Sequence, residues 1–247
     1  MRLADSPVLH TGGMHYEPHE LPTLMFGRRH ALAYVLNPKA ACTLALNFVF
    51  YLNNGYRYFD PIQIHYSRRA LFRLHAPELD ARAVNAYRQL LPQSFSIVRD
   101  PLKRFVSGFF SKIFSDDDPH ALTARDFLTS ECGIDLSPEA DVAQSCLNFA
   151  KWAAAQPDPN QLDRHFKPQW LNLRRDGRFV VDTILRLEDR AAISAFFARW
   201  IGAEKAEWFL TFRFNEHIKN QKTDVVSDEL KAIVRKIYAK DYELFYS

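Results

Sequence analysis

The sequence is poor in several features that mark common protein classes. Among its 247 residues there are only three cysteines, Cys42, Cys132 and Cys146, and only eight glycines. An odd number of cysteines without zinc-type spacing argues against a disulfide framework or a zinc site and favours a reducing compartment. The formal net charge of +3 is too small to indicate a nucleic-acid partner.

Long apolar segments are also lacking. No run approaches the roughly 20 residues that a membrane-spanning helix needs, and the N-terminal segment MRLADSPVLHTGG has no apolar stretch of signal-peptide length. We therefore expect a cytoplasmic protein, unless the chain is a piece of a longer one. Peripheral contact with a membrane and the oligomeric state stay open.

What is present is enough apolar sequence for one large core, since 47% of the residues are hydrophobic. Residues 1–29 are rich in Pro, Gly and His and predict an arm or irregular lead-in, followed by a single domain over residues 30–247. Apolar periodicity predicts strands at 30–36, 94–98 and 183–188, and helices at 43–53, 78–91, 100–114, 123–130, 139–155, 189–201 and 227–239. Buried strands that alternate with helices predict an α/β fold with a parallel sheet covered on both faces.

The stretch YVLNPKAACTLALNFVF (residues 34–50) predicts a strand, a tight loop and a helix. A loop that leads into a helix N-terminus is a ready anion site, because unpaired amides point outward there and the helix dipole favours negative charge. Ala40 and Ala41 let an anion approach the backbone, Lys39 adds a positive charge and Thr43 adds a hydroxyl. The alternative is an ordinary turn with an exposed lysine, since the glycine-rich nucleotide loop G-x-x-x-x-G-K-[ST] is absent.

The stretch FSIVRDPLKRFVSGF (residues 95–109) repeats the strand–turn–helix pattern. Arg99 follows the strand, where ligands bind in open α/β sheets. Arg104 and Ser107 are neighbours on the helix, and an arginine fork with a serine hydroxyl suits a phosphate. The alternative is an ion-pair role for Arg99 and a packing role for Ser107. Two such turns on one sheet suit a nucleotide with phosphates at both ends.

These paired motifs resemble the sulfotransferases that use 3′-phosphoadenosine 5′-phosphosulfate (PAPS). NPKAACTLALNFV is similar to the 5′-phosphosulfate loop P-K-x-x-[CS]-[ST] of the carbohydrate family, and VRDPLKRFVS is similar to its 3′-phosphate motif V-R-D-P-x-x-R-x-x-S. RHFKPQ, VDTILRLEDR, NQKTD and IYAKDYELFYS resemble later family segments, so the resemblance runs from about residue 30 to the C-terminus. The anchor and extra cysteines of the Golgi members are missing, which suggests a bacterial-type relative.

The resemblance implies a P-loop-like, three-layer α/β/α fold and transfer of a sulfuryl group from PAPS to an acceptor hydroxyl, which leaves adenosine 3′,5′-bisphosphate. It implies no metal. Lys39, the amides of the loop and Thr43 would hold the 5′-phosphate, with Cys42 as a small loop residue. Arg99 and Ser107 would hold the 3′-phosphate. Lys222, with Lys219 beside it, would close over the nucleotide, unless both belong to a solvated loop.

A base must accept the proton of the acceptor hydroxyl, and histidine suits neutral pH. His75, between the two motifs, and His165, in RHFKPQ, are the main candidates, with His65 and Glu78 behind them. The expected acceptor is a carbohydrate or a glycolipid. Two other functions stay open at this point: a P-loop-type nucleotide kinase, and a non-catalytic glycan-binding protein on a sulfotransferase scaffold.

Overall fold

The computed structural model describes residues 24–27, 32–60, 63–66, 93–114, 129–130, 132–135, 137, 139–175, 177–211 and 225–247. Its strands are β1 (Leu24–Gly27), β2 (Leu32–Val35), β3 (Gln93–Val98), β4 (Arg174–Arg175), β5 (Arg178–Phe179) and β6 (Thr183–Arg186). Its helices are α1 (Cys42–Asn54), α2 (Gln63–Tyr66), α3 (Pro101–Lys112), α4 (Val142–Ala155), α5 (Gln169–Asn172), α6 (Arg190–Ile201), α7 (Ala203–Thr211), α8 (Asp228–Ile237) and α9 (Ala239–Phe245).

The internal contacts divide the chain into two compact units. Among the described residues, those between 24 and 99 and between 172 and 211 form the sheet unit, and those between 100 and 171 and between 225 and 247 form the helical unit. Each unit has its own core of buried apolar side chains.

The sheet unit is built on four strands in the order β1-β2-β3-β6. Strands β2, β3 and β6 are parallel, and β1 is antiparallel to β2. Every residue of β2 is buried, which explains its continuous apolar sequence, because parallel strands are normally covered on both faces. The α/β class and the mainly parallel sheet predicted from the sequence are confirmed. Strands β4 and β5 form a separate antiparallel hairpin.

Aromatic side chains hold α1 in place within the sheet unit. Phe48 of α1 stacks on Phe197 of α6 with ring centroids 3.7 Å apart, and it meets the ring of Phe95 on β3 edge to face. Such ring pairs add to the stabilisation that comes from burial alone. The start of α1, and with it the loop that precedes α1, is therefore set by the packing of a rigid core.

The helical unit is organised around α3, which begins as the sequence predicts. The Asp100 side chain accepts from the backbone N–H of Lys103 at 2.9 Å, and Pro101 occupies the first helical position. Phe105 packs with Phe149 of α4 and with Phe166 in the core of this unit. The Phe166 ring also lies so close to α3 that a Cβ atom on Gly108 would come within 2.8 Å of it.

The strands predicted at 30–36, 94–98 and 183–188 are confirmed as β2, β3 and β6, and five of the predicted helices are confirmed as α1, α3, α4, α6 and α8. Residues 24–27, expected in an irregular lead-in, instead form β1, because pairing with β2 supplies the order that their own sequence does not signal. The helix predicted at 78–91 lies outside the described residues, as does the one at 123–130 apart from its last two residues. All three cysteines are buried and unbridged, and burial raises the pKa of the Cys146 thiol to about 12.

Candidate active site

The loop between β2 and α1 (residues 36–41) is held by the buried side chain of Asn37. Its Nδ2 donates to the carbonyl of Ile97 at the end of β3 at 3.0 Å, and its Oδ1 accepts from Nδ2 of Asn172 at 3.3 Å. The Asn37 carbonyl also accepts from the Cys42 thiol at 2.9 Å. These bonds tie the carboxyl ends of two parallel strands together, which is the edge where open α/β sheets bind ligands.

Two non-glycine residues in this loop adopt the left-handed backbone conformation. Lys39 has φ 64° and Ala41 has φ 57°, and each such residue costs about 1–2 kcal/mol relative to a right-handed one. Turns that include left-handed residues direct successive backbone N–H groups into a concave anion site. The start of α1 carries no side-chain cap and no acidic residue in its first turn. The loop and helix start therefore suit an anion.

The residues predicted to hold the 5′-phosphate all lie in the β2–α1 loop and the first turn of α1. Lys39 is half-buried, Ala40 is fully buried, and Thr43 is buried in the first turn of α1. The Thr43 hydroxyl lies 2.8 Å from Nε2 of His65 on α2. From the sequence, His65 was only a minor candidate for the base, and nothing in the spacing of 22 residues signals its contact with Thr43.

Arg99 lies beside the same loop. Its guanidinium Nη1 donates to the carbonyl of Lys39 at 3.3 Å, so the residue after β3 supports the loop after β2. Within the sheet unit the structure thus brings together Lys39, Thr43 and Arg99, together with His65. The predicted residues Ser107 and His165 belong to the helical unit.

Arg104 requires a correction of the sequence-based interpretation. We expected its guanidinium fork to face a phosphate, but the side chain is 1% exposed, and two of its nitrogens donate to the carbonyls of Lys167 and Arg164 at 2.9 Å each. The fork therefore holds the backbone of the helical unit. Ser107, one turn further along α3, is also largely buried.

His165 is paired with Asp163, a residue that the sequence analysis did not single out. Asp163 Oδ1 lies 2.6 Å from Nδ1 of His165 and accepts from the His165 backbone N–H at 2.8 Å. Burial lowers the pKa of His165 to about 4, against the opposing effect of the Asp163 carboxylate. Burial raises the pKa of Asp163, but its contacts with His165 outweigh burial and hold that pKa below its usual value. At neutral pH the ring is therefore neutral, with its hydrogen on Nδ1 and a lone pair on Nε2.

The turn that carries His165 (residues 163–170, the His165 turn) is anchored by buried polar side chains. Arg104 donates to two carbonyls of the turn, and the Tyr238 hydroxyl donates to the carbonyl of Phe166 at 2.5 Å. The Asp241 carboxylate accepts from the backbone N–H of Gln169 at 2.8 Å and from the backbone N–H of the next residue at 2.9 Å. Because buried polar networks with satisfied partners are rigid, the His165 turn has a defined geometry.

Four of the residues predicted to act in the site lie outside the described residues: His75, Glu78, Lys219 and Lys222. In the part of the chain that the structure describes, there is no group of three or more His, Cys, Asp or Glu side chains arranged for a metal ion. The described helices also include none with the length and apolar character to cross a membrane.

Comparison with known proteins gives one assignment. No curated protein and no solved structure matches the chain significantly. The sequence model of the sulfotransferase family matches residues 22–247, a range that includes β1 and every element after it. The match thus starts before the residues on which the motif resemblance depends. The chain belongs to the sulfotransferase family (sulfotransferase family 2).

Proposed function

We propose that this protein transfers a sulfuryl group from PAPS to a hydroxyl of a carbohydrate or glycoconjugate acceptor by in-line displacement. The observation that carries the proposal is the β2–α1 loop, with two left-handed residues, an uncapped helix start and Lys39 with Thr43 at one sheet edge. Membership of the sulfotransferase family supports the reaction class. We take the chain from β1 onward as one catalytic domain with a P-loop-like, three-layer fold, since β1 belongs to the sheet.

The loop would bind the 5′ end of the donor. As the acceptor oxygen attacks sulfur, the S–O bond to the 5′-phosphate breaks, and negative charge grows on the phosphate oxygen that leaves. Lys39 and the backbone N–H groups of Ala41 and Cys42 would stabilise that charge, because donors oriented before the reaction lose little on reorganisation. The Ala40 N–H donates to the Asn37 carbonyl at 3.4 Å and so holds the turn itself. Thr43 would donate its hydroxyl hydrogen to the same phosphate.

The 3′-phosphate would be held by Arg99 and Ser107, with Lys222 closing over the nucleotide. Arginine presents several N–H donors in a planar fork that fits phosphate oxygens. ATP and ADP have no 3′-phosphate, so this contact would select the bisphosphate nucleotide over them.

Calorimetric titration with adenosine 3′,5′-bisphosphate, ADP and ATP tests the donor site. We expect the bisphosphate to bind at least about tenfold more tightly than ADP, since one charge-assisted contact is worth that factor or more. Arg99→Ala should weaken binding of the bisphosphate by a larger factor than binding of ADP, because Arg99 also supports the loop through the Lys39 carbonyl. Lys39→Ala should weaken binding of both nucleotides. Arg178→Ala removes an exposed arginine of the same unit and serves as the control.

Two results would contradict this assignment. Equal or tighter binding of ATP by the wild-type protein would favour a nucleotide kinase. Binding of the bisphosphate without turnover on any acceptor would favour a non-catalytic protein on a sulfotransferase scaffold.

The base is proposed to be His165 or His75. The pairing of His165 Nδ1 with Asp163 supports His165, because it leaves Nε2 to accept a proton and places a carboxylate beside the imidazolium that forms. PAPS hydrolysis, in which water replaces the acceptor, measures this step without knowledge of the acceptor. A base works in its deprotonated form, so activity is lost as the pH falls through its pKa.

For His165 we therefore expect PAPS hydrolysis to stay constant from about pH 7 to pH 5 and to fall through about pH 4. A base with an ordinary histidine pKa would lose activity near pH 6.5. His165→Ala should lower the rate by at least about a hundredfold, with circular dichroism at each pH as the check on folding. A fall near pH 6.5 and a small effect of His165→Ala, with a large effect of His75→Ala, would assign the base to His75.

A further inference from the structure

The contact between Thr43 and His65 is not explained by the roles assigned so far. Thr43 Oγ1 and His65 Nε2 are 2.8 Å apart, and both residues belong to the sheet unit. The position of His65 is set by its neighbour Ile64, which is fully buried in the core that contains α1. The Ile64 backbone N–H donates to the carbonyl of Asp60 at 3.2 Å. The imidazole is therefore held against the first turn of α1 by a packed residue.

The direction of this hydrogen bond decides what Thr43 can offer an anion. A threonine hydroxyl has one hydrogen and two lone pairs. If Thr43 donates to His65, its only hydrogen points at the imidazole and its lone pairs face the loop. If Nε2–H of His65 donates to Thr43, the hydroxyl hydrogen can point at an anion bound in the loop. A phosphate oxygen only accepts hydrogen bonds, so a bound phosphate favours the second arrangement.

We propose that His65 is a positioning residue, whose Nε2–H donates to Thr43 Oγ1 and thereby turns the Thr43 hydroxyl hydrogen toward the anion in the β2–α1 loop. This inference depends on the proposed function, because it takes that anion to be the 5′-phosphate of the donor. His65 acts through Thr43, and Thr43 is the residue that touches the nucleotide.

The test measures the affinity for adenosine 3′,5′-bisphosphate by calorimetry in a set of single and double variants. His65→Ala should weaken binding by about tenfold, the size of one hydrogen bond to a charged group. His65→Gln has an amide N–H that reaches the position of Nε2 and should restore affinity to within about threefold of the wild type. His65→Asn has the same amide on a shorter side chain and should bind like His65→Ala. This difference separates hydrogen bonding from packing.

A double-mutant cycle with Thr43→Val tests whether His65 acts through the hydroxyl. Valine has nearly the shape of threonine without the hydroxyl, so His65→Ala should have no further effect in the Thr43→Val background. Phe59→Ala, at an 83% exposed residue of the segment before α2, is the control and should leave affinity unchanged. Thermal melting confirms that each variant is folded, and the comparison of His65→Gln with His65→Asn remains informative if His65→Ala does not fold.

The outcomes separate this inference from the proposed function. If the wild type binds the bisphosphate and Lys39→Ala binds it more weakly, the donor site stands. In that case either of two results overturns the role of His65 and leaves the donor site intact. The first is unchanged affinity in His65→Ala and His65→Asn, and the second is that the effects of His65→Ala and Thr43→Val on affinity multiply in the double variant. If the wild type does not bind the bisphosphate, the proposed function fails and the role of His65 fails with it.

Discussion

Replacement of Lys39 by alanine is expected to slow PAPS hydrolysis by about 10²–10³-fold, the effect of removing one oriented donor from a developing negative charge. The amine would act mainly in the transition state, when the S–O bond to the 5′-phosphate is broken, so the loss should fall on kcat more than on KM. The measurement is the rate of bisphosphate release from PAPS at saturating donor.

The backbone of Lys39 offers a sharper comparison than alanine alone. Because Lys39 has φ 64°, Lys39→Gly removes the amine and also relieves left-handed strain, whereas Lys39→Ala removes the amine and keeps the strain. Equal losses in the two variants would identify the charge as the cause. Lys205→Ala, which removes an exposed lysine of the same unit, is the matched control. A loss of less than about threefold in both Lys39 variants would remove Lys39 from the mechanism.

Replacement of Arg104 by methionine is expected to lower the free energy of unfolding by about 3–5 kcal/mol, with a fall in Tm on the order of 10 °C for a chain of this size. Methionine has similar volume but no donors, so the carbonyls of Arg164 and Lys167 lose their bonds inside the helical unit. The positive charge of Arg104 also opposes the rise that burial causes in the Asp241 pKa. Loss of the Arg104 charge would raise the Asp241 pKa further and so weaken the hydrogen bonds that the Asp241 carboxylate accepts at the start of α5.

The control for Arg104 is Arg235→Met. Arg235 is exposed on α8, where its guanidinium lies 5.6 Å from the centre of the Tyr242 ring, so its replacement should cost less than about 1 kcal/mol. Arg104→Lys keeps the charge but not the fork and should fall between the two variants. Chemical denaturation measures the free energy of unfolding of the three variants. Equal values for Arg104→Met and Arg235→Met would show that the guanidinium fork of Arg104 contributes nothing to stability.

The elements around the candidate site could be predicted because their signals are local. Strand β2 is apolar throughout, and α3 begins with a capping aspartate followed by proline. The hairpin of β4 and β5 was not predicted, because each strand has two residues and its sequence, RRDGRF, has a turn signal without alternating apolar residues. Strand β1 depends on pairing with β2, which a short segment does not reveal by itself.

The candidate site shows the same division between local and distant signals. Lys39, Thr43 and Arg99 were predicted because they follow strand ends in two recognisable motifs. The contacts that hold these residues in place were missed, since Asn37 meets Asn172 across 135 residues and Thr43 meets His65 across 22. Asp163 had a local signal, two residues before His165. Arg104 was misassigned because its fork suits a phosphate and a pair of carbonyls equally well.

The bond between Asn37 and Asn172 also bears on the synthesis of this protein. A ribosome that adds about 5–20 residues per second reaches Asn172 on the order of ten seconds after Asn37, given the 135 residues between them. Strand β3 starts 61 residues after β2 begins, so for almost half of that time β2 lacks its parallel partner. The newly made chain thus presents an apolar strand and the side chain of Asn37 well before they can be buried, so this segment is where we expect chaperones to bind first.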